Sequence, residues 1–119
     1  MRAKDALGRY GERVAVRHLE DAGYAVLARN WRCRHGELDV VAAHGGCLVA
    51  VEVKTRRSTA AGHPLEAVTP LKVARLRRLV AVWLAEHPGG RWRDVRIDVV
   101  AVLRPARGAA VVEHLRGVG

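Results

Sequence analysis

What this 119-residue chain has little of narrows its class. No apolar run approaches the ~18 residues of a membrane span, and Met1–Tyr10 lacks the apolar stretch of a signal peptide. The expected compartment is therefore the cytoplasm. Two cysteines, Cys33 and Cys47, are too few for a disulfide framework and read as free thiols. Together with His35 and His44 they have the chemistry of zinc ligands. His35 and His44, however, bracket a predicted strand of about 30 Å at roughly 3.3 Å per residue, so the four cannot converge. There is no Gly-rich phosphate loop, no serine-nucleophile motif and no dinucleotide fingerprint. Internal repeats and low-complexity linkers are absent as well.

What is present is enough for one ordinary domain over residues 1–119. At 13.0 kDa the folded surface scales to roughly 6,300 Å² against about 18,900 Å² unfolded, so a core forms without metal or disulfide staples. Half the residues are hydrophobic and 28% are charged, which excludes a disordered tail. Twenty-one Lys and Arg against twelve Asp and Glu give a net charge of +9. Such a balance favours a polyanionic partner, nucleic acid first and an anionic membrane surface second; nucleic acid is the expectation carried forward. Nearly all the cations are arginines; Lys4, Lys54 and Lys72 are the exceptions. Lys54 and Lys72 are therefore worth following, since a point-charge ammonium does not substitute for a guanidinium.

Patterning predicts an α/β domain. Asp5–Ala22 reads as a helix stopped by Gly23, and Tyr24–Asn30 as a short strand. Gly36–Ala43 and Cys47–Arg56 alternate as strands, and Arg57–His63 reads as a mobile loop. Thr69-Pro70 opens a second helix that Pro88-Gly89-Gly90 ends. Val95–Leu103 alternates as a long strand, and Ala109–Leu115 could add another.

The most informative stretch is Gly36–Arg56. Gly45-Gly46 between two strand-like runs signals a two-residue hairpin loop. With His44 opposite Cys47, counting outward sets Asp39 against Glu52 and Glu37 against Lys54, all on one face. Opposed like charges about 5 Å apart destabilise a sheet. A divalent cation between Asp39 and Glu52 removes that repulsion and uses carboxylates as hard ligands. The alternative is a solvated face on which Glu37 pairs with Lys54 and the two acids are tolerated. A one-residue slip of register would separate the acids.

At these residues the chain resembles a known family. Asp39 followed by Glu52-Val53-Lys54 looks like the PD-(D/E)xK nuclease signature, with Leu38 where that signature has proline. The wider run is more specific: Gly11-Glu12, Gly23-Tyr24, Arg29-Asn30-Trp31-Arg32, Gly36-Glu37-Leu38-Asp39, Val51–Arg56, Gly62, Pro64, Glu66-Ala67-Val68 and Lys72. That ordered set resembles the YraN-like family of small bacterial proteins, which are similar to archaeal Holliday-junction resolvases. The resemblance covers about Ala6 to Leu103 and fades after Arg104, leaving about 105–119 as a C-terminal strand or extension. It implies a restriction-endonuclease-like fold, a central mixed sheet with a β-hairpin carrying the acidic site and helices on its flanks. It also implies Mg²⁺ or Mn²⁺ as cofactor. Asp39 and Glu52 match the metal-binding carboxylates, Lys54 the lysine that orients water or stabilises charge at phosphorus, and Glu12 a helix-borne acid completing the site.

Two helix positions bear on this independently. Glu12 falls within the apolar arc of its helix beside Val16 and Leu19, with Gly8 and Gly11 nearby to permit close approach to the sheet. An acid there needs a partner, which could be a metal site or a buried arginine. Lys72 heads the stripe Leu76, Leu79, Trp83, so it either snorkels or serves the site. Glu37 is either a ligand or a support for Lys54. Arg56, Arg57, Lys72, Arg75 and Arg78 are candidate nucleic-acid contacts, with solvated surface as the alternative. The three tryptophans read as core residues first, with Trp31 the one for which a place near a substrate is the alternative, and Asp98 reads as an arginine's partner.

Three functions follow. The first is a metal-dependent endonuclease acting on branched or damaged DNA in repair or recombination. The second is a nucleic-acid-binding module that keeps the fold without cutting. The third is a basic adaptor for another protein of nucleic-acid metabolism. Duplex or branched DNA, RNA and a homodimer, as in resolvases, are all compatible with the residues.

Overall fold

The computed structural model describes residues 3–58, 60, 62, 63, 66 and 68–119. Pro64 and Ala67 of the resemblance, and part of the predicted loop Arg57–His63, lie outside the described residues. The elements run α1 (Ala3–Asp21), β1 (Ala25–Cys33), β2 (Gly36–His44), β3 (Cys47–Arg56), α2 (Pro70–Glu86), β4 (Asp94–Leu103) and β5 (Val111–Leu115). The five strands form one mixed sheet in chain order. Only β3 and β4 are parallel, because α2 carries the chain back between them. β1 continues three residues beyond the predicted strand, since pairing with β2 resumes at Trp31 and runs to Cys33↔Gly36.

The helices cover opposite faces of the sheet. Ala15, Val16 and Leu19 of α1 lie at the 3–4 residue spacing of one helical face and pack with Val40, Val51, Val100 and Val102. On the other side Val73, Leu76, Leu79, Val80 and Trp83 of α2 pack with Leu38, Val41, Leu48 and Ile97. Trp31 joins this second core, edge-on to Trp83 at 5.7 Å, so the core reading holds for it and the substrate alternative does not. The start of α2 follows its sequence: Thr69 caps it, accepting from the Lys72 N–H at 3.2 Å, and Pro70 occupies the first turn.

The hairpin between β2 and β3 has the anticipated register. Gly45 and Gly46 take φ of +55° and +81°, the conformation a tight two-residue hairpin loop needs. Pairing then runs from His44↔Cys47 to Val40↔Val51. Beyond that the expectation fails. Asp39 and Glu52 are not ladder partners, and neither are Glu37 and Lys54. The Val53 N–H instead donates to Asp39 Oδ2 at 2.8 Å. Leu38 and Val40, two apart in sequence, consequently sit in opposite cores, so the strand alternation slips at Asp39.

Of the two glycines expected to admit the sheet, only Gly11 does so: a Cβ there would overlap the Thr55 side chain of β3, whereas nothing lies within 4 Å of one at Gly8. Gly8→Ala should therefore stabilise the protein by roughly 0.5–1 kcal/mol through helix propensity. Gly11→Ala should destabilise it by about 1–3 kcal/mol through overpacking, partly relieved by Thr55→Ala. Urea unfolding of the three variants reads both signs.

Candidate functional site

Where β2 and β3 part, four side chains converge. Asp39 comes from β2, Glu52 and Lys54 from one face of β3, and Lys72 from the first turn of α2. Glu52 Oε1 accepts from Lys72 Nζ at 2.9 Å and from Lys54 Nζ at 3.2 Å. The Glu52 side chain is only 8% exposed, so its charge needs both ammonium groups close by. Lys72 is thus tied to the carboxylates and does not merely snorkel from a helix end. Burial opposes its charge, but the Glu52 carboxylate outweighs this and holds the Lys72 ammonium above its ordinary pKa.

Asp39 has the opposite difficulty. Burial and the neighbouring Glu52 carboxylate push it up to about 7, against the pull of the Val53 N–H. Asp39 thus resists ionisation beside the Glu52 carboxylate, and a cation held there would relieve that repulsion. The donor set, two carboxylates, has the hard-oxygen chemistry that would fit Mg²⁺ or Mn²⁺. No group of three His, Cys, Asp or Glu that could hold a metal occurs among the described residues, so an ion would rest on Asp39 and Glu52 as its protein carboxylates.

Glu12 lies close by but is otherwise engaged. Its Oε1 accepts from Arg29 Nε at 3.0 Å and from Asn30 Nδ2 at 2.8 Å, and its Oε2 from the same Asn30 nitrogen at 2.9 Å. Asn30 takes φ +52°, an unusual conformation for a non-glycine residue, between the ladder pairs Arg29↔Val40 and Trp31↔Leu38. Glu12, Asn30, Arg32, Asp39, Lys54 and Arg56 share the lining of one open cavity of about 790 Å³. Asp39 lies on its floor, and Arg32 and Arg56 add cationic groups. Glu37 pairs with Arg32 at 2.8 Å, across β1–β2, rather than supporting Lys54. Arg57, Arg75 and Arg78 are exposed, the latter two along α2.

A second polar cluster was not foreseen beyond one arginine pair. Asp98, fully buried in β4, accepts from Arg96 Nε at 2.8 Å, from the Tyr24 hydroxyl at 2.7 Å and from the Gly117 N–H at 3.1 Å. His114 Nε2 lies 2.9 Å from it, and His18 Nε2 lies 3.0 Å from His114 Nδ1. Only Arg96, two residues away on the same strand, was visible as a partner. The others come from the end of α1, the loop after it and the chain beyond β4, separations no local pattern reports.

The geometry defines an α/β domain with a buried carboxylate, Glu52, a half-buried one, Asp39, and two lysines at a strand fork. The chain matches Uncharacterised protein family UPF0102 over residues 11–102, and it belongs to that family. It is 70% identical over 119 residues to a UPF0102 protein of Beutenbergia cavernae, covering the whole of both chains. It is also 66% identical over 118 residues to one from Kineococcus radiotolerans, covering 99% of this chain and 97% of that protein. A UPF0102 protein of Streptomyces griseus is 58% identical over 118 residues, covering 99% of each. Among the described residues no helix is long and apolar enough to cross a membrane.

The Asp98 cluster gives a stability prediction. Its donors hold the Asp98 carboxyl below its ordinary value of 3.8 even though burial works the other way. A lowered folded pKa stabilises the native state above the unfolded pKa, and that contribution is lost as pH falls through the folded value. Asp98→Asn should cost about 3 kcal/mol at pH 7, because Arg96 loses its charged partner in a buried setting. The gap to the parent should narrow progressively below about pH 3.8, as followed by thermal or urea unfolding.

Proposed function

We propose that this protein is a metal-dependent endonuclease hydrolysing phosphodiester bonds in DNA, with a restriction-endonuclease-like fold. The observation that carries the reading is the contact of one buried carboxylate, Glu52, with two ammonium groups beside a second carboxylate, Asp39, that resists ionisation. A structural ion pair needs one lysine and no second acid. The order α1, β1–β3, α2, β4 with a single parallel pair supports that fold, as do two acids on the strands that flank the Gly45-Gly46 turn.

Asp39 and Glu52 would hold Mg²⁺ or Mn²⁺. Bound there, the ion supplies charge neutralisation at a phosphoryl oxygen and lowers the pKa of a coordinated water. Lys54 and Lys72, held by Glu52, present positive charge to the non-bridging oxygens as the pentavalent phosphorus develops. Glu12 acts through Arg29 and Asn30, fixing the β1 wall of the cavity. Arg32, Arg56 and Arg57 flank the duplex or branch, and the net charge of +9 draws a polyanion to this face. A non-catalytic DNA-binding module is the second reading, favoured by the engagement of both Glu12 oxygens away from the carboxylate pair.

The test is cleavage of end-labelled four-way-junction and linear duplex DNA with Mn²⁺, with Mg²⁺ and with EDTA. The parent should cut only with metal. Glu52→Gln should lower the rate at least ~10²-fold while leaving DNA binding equal or tighter. Unchanged cutting by that variant would assign the activity to a contaminant. Metal-independent, salt-sensitive binding without cutting by the parent would establish the second reading. A saturating cation, at a concentration about 100 times its dissociation constant, should also stabilise the parent by ~2.7 kcal/mol and leave Glu52→Gln nearly unmoved.

A further inference from the structure

A second cavity, of about 400 Å³, lies between the β1–β2 turn and α2. His35, Arg75, Arg78, Leu79 and Val82 line it. Its volume falls within the ~300–1,000 Å³ range of small-molecule sites. Its depth is set by close seating of the turn on the helix. Gly36 takes φ +146°, and a Cβ on it would lie 3.0 Å from Arg75 Nη2 and 3.3 Å from Leu79 Cδ1. The cavity lining therefore combines the apolar side chains of Leu79 and Val82 with two guanidinium groups and the His35 imidazole, whose Nε2 accepts from Arg34 Nε at 3.3 Å. Arg75 and Arg78 are exposed and form no ion pair among the described residues.

Apolar side chains, one imidazole ring and two guanidinium groups without an ion pair among the described residues are together the recognition chemistry of a single nucleotide. Phosphate takes the guanidinium groups, and a base lies over apolar surface or stacks on imidazole or guanidinium planes. A base within a duplex presents only its edges, so the occupant must be unstacked. Location supports this. Arg75 and Arg78 lie one and two turns along α2 from Lys72, roughly 5 and 9 Å along the helix axis. Lys72 itself touches Glu52, so the helix that carries Arg75 and Arg78 begins beside the carboxylates, and a strand crossing the fork from the α1 side to the α2 side would reach this cavity.

We infer that this cavity takes one unpaired nucleotide of the substrate strand, with its phosphate on Arg75 and Arg78 and its base over Leu79 and Val82 beside His35. The inference rests on the nucleic-acid reading of the neighbouring site and narrows it to substrates with an unpaired nucleotide next to the scissile phosphate.

The test measures binding in EDTA, by fluorescence anisotropy, to two fluorescein-labelled DNA hairpins. One is blunt and the other carries a three-nucleotide single-stranded tail. The parent should prefer the tailed hairpin by about tenfold, within the range that one stacked base contributes. Val82→Trp, which fills the cavity, should remove the preference while leaving blunt-hairpin affinity unchanged. Arg78→Ala, on an exposed helix position, should narrow the ratio as well, and it carries the test if Val82→Trp melts early by circular dichroism. Equal binding of both hairpins by the parent overturns the cavity assignment and leaves the endonuclease reading standing, as does a preference that neither variant changes. Failure to bind either hairpin, both in EDTA and with Ca²⁺ in its place, removes the nucleic-acid reading and the cavity assignment with it.

Discussion

The hydrogen bond from the Val53 N–H to the Asp39 carboxylate, at 2.8 Å, is the constraint on which the site is built. It gives a side-chain oxygen the backbone donor that a regular ladder would direct to the opposite strand. The ladder therefore ends at Val40↔Val51, and β2 and β3 separate just where the acids stand. A buried N–H left unpaired at such a fork would be costly, so the carboxylate is what makes the separation tolerable. One consequence is that Asp39 is held between the strands instead of projecting from a face. Another is that it lies close enough to Glu52 to feel its charge.

Each helix then contributes to the fork through a feature of its own sequence. Gly11 lets α1 lie against Thr55, which brings Glu12 to the cavity wall. Thr69 and Pro70 fix the start of α2 so that Lys72 falls in its first turn, above Glu52. The positive end of that helix also favours the nearby carboxylate, reinforcing the two ammonium groups. The sheet holds the acids while the helices supply what surrounds them.

Much of this was legible in the residues, and the exceptions share a cause. Alternation of valines and the glycine turn fixed the strands and their register as far as Val40↔Val51. Counting outward from a turn assumes that the ladder continues, and the Asp39 side chain stops it. The partnership expected between Glu37 and Lys54 fails for that reason, with Glu37 turning to Arg32 across the strand pair that does continue. Glu12 on an apolar arc announced a partner, but spacing alone could not distinguish a metal from Arg29 and Asn30. Gly8 and Gly11 look equivalent on a helical wheel, and only the position of Thr55 separates them. Periodicity reports which face a residue occupies, while site chemistry depends on where the periodicity breaks.

The two acid clusters differ in how fully their carboxylates are partnered. Asp98 receives donors on both oxygens from Arg96, Tyr24 and Gly117, with His114 alongside. Its carboxyl is held below the ordinary range, and nothing is left for a ligand to satisfy. Asp39 has one backbone donor and a second carboxylate as neighbour, and its pKa is driven up instead. Folding alone selects the first arrangement, because a fully partnered charge contributes to a unique core. It selects against the second unless something absent from the free chain completes it. The uneven partnering of Asp39 and Glu52, with both lysines on Glu52 and one backbone donor on Asp39 beside a cavity that has arginines in its lining, is what the endonuclease reading starts from.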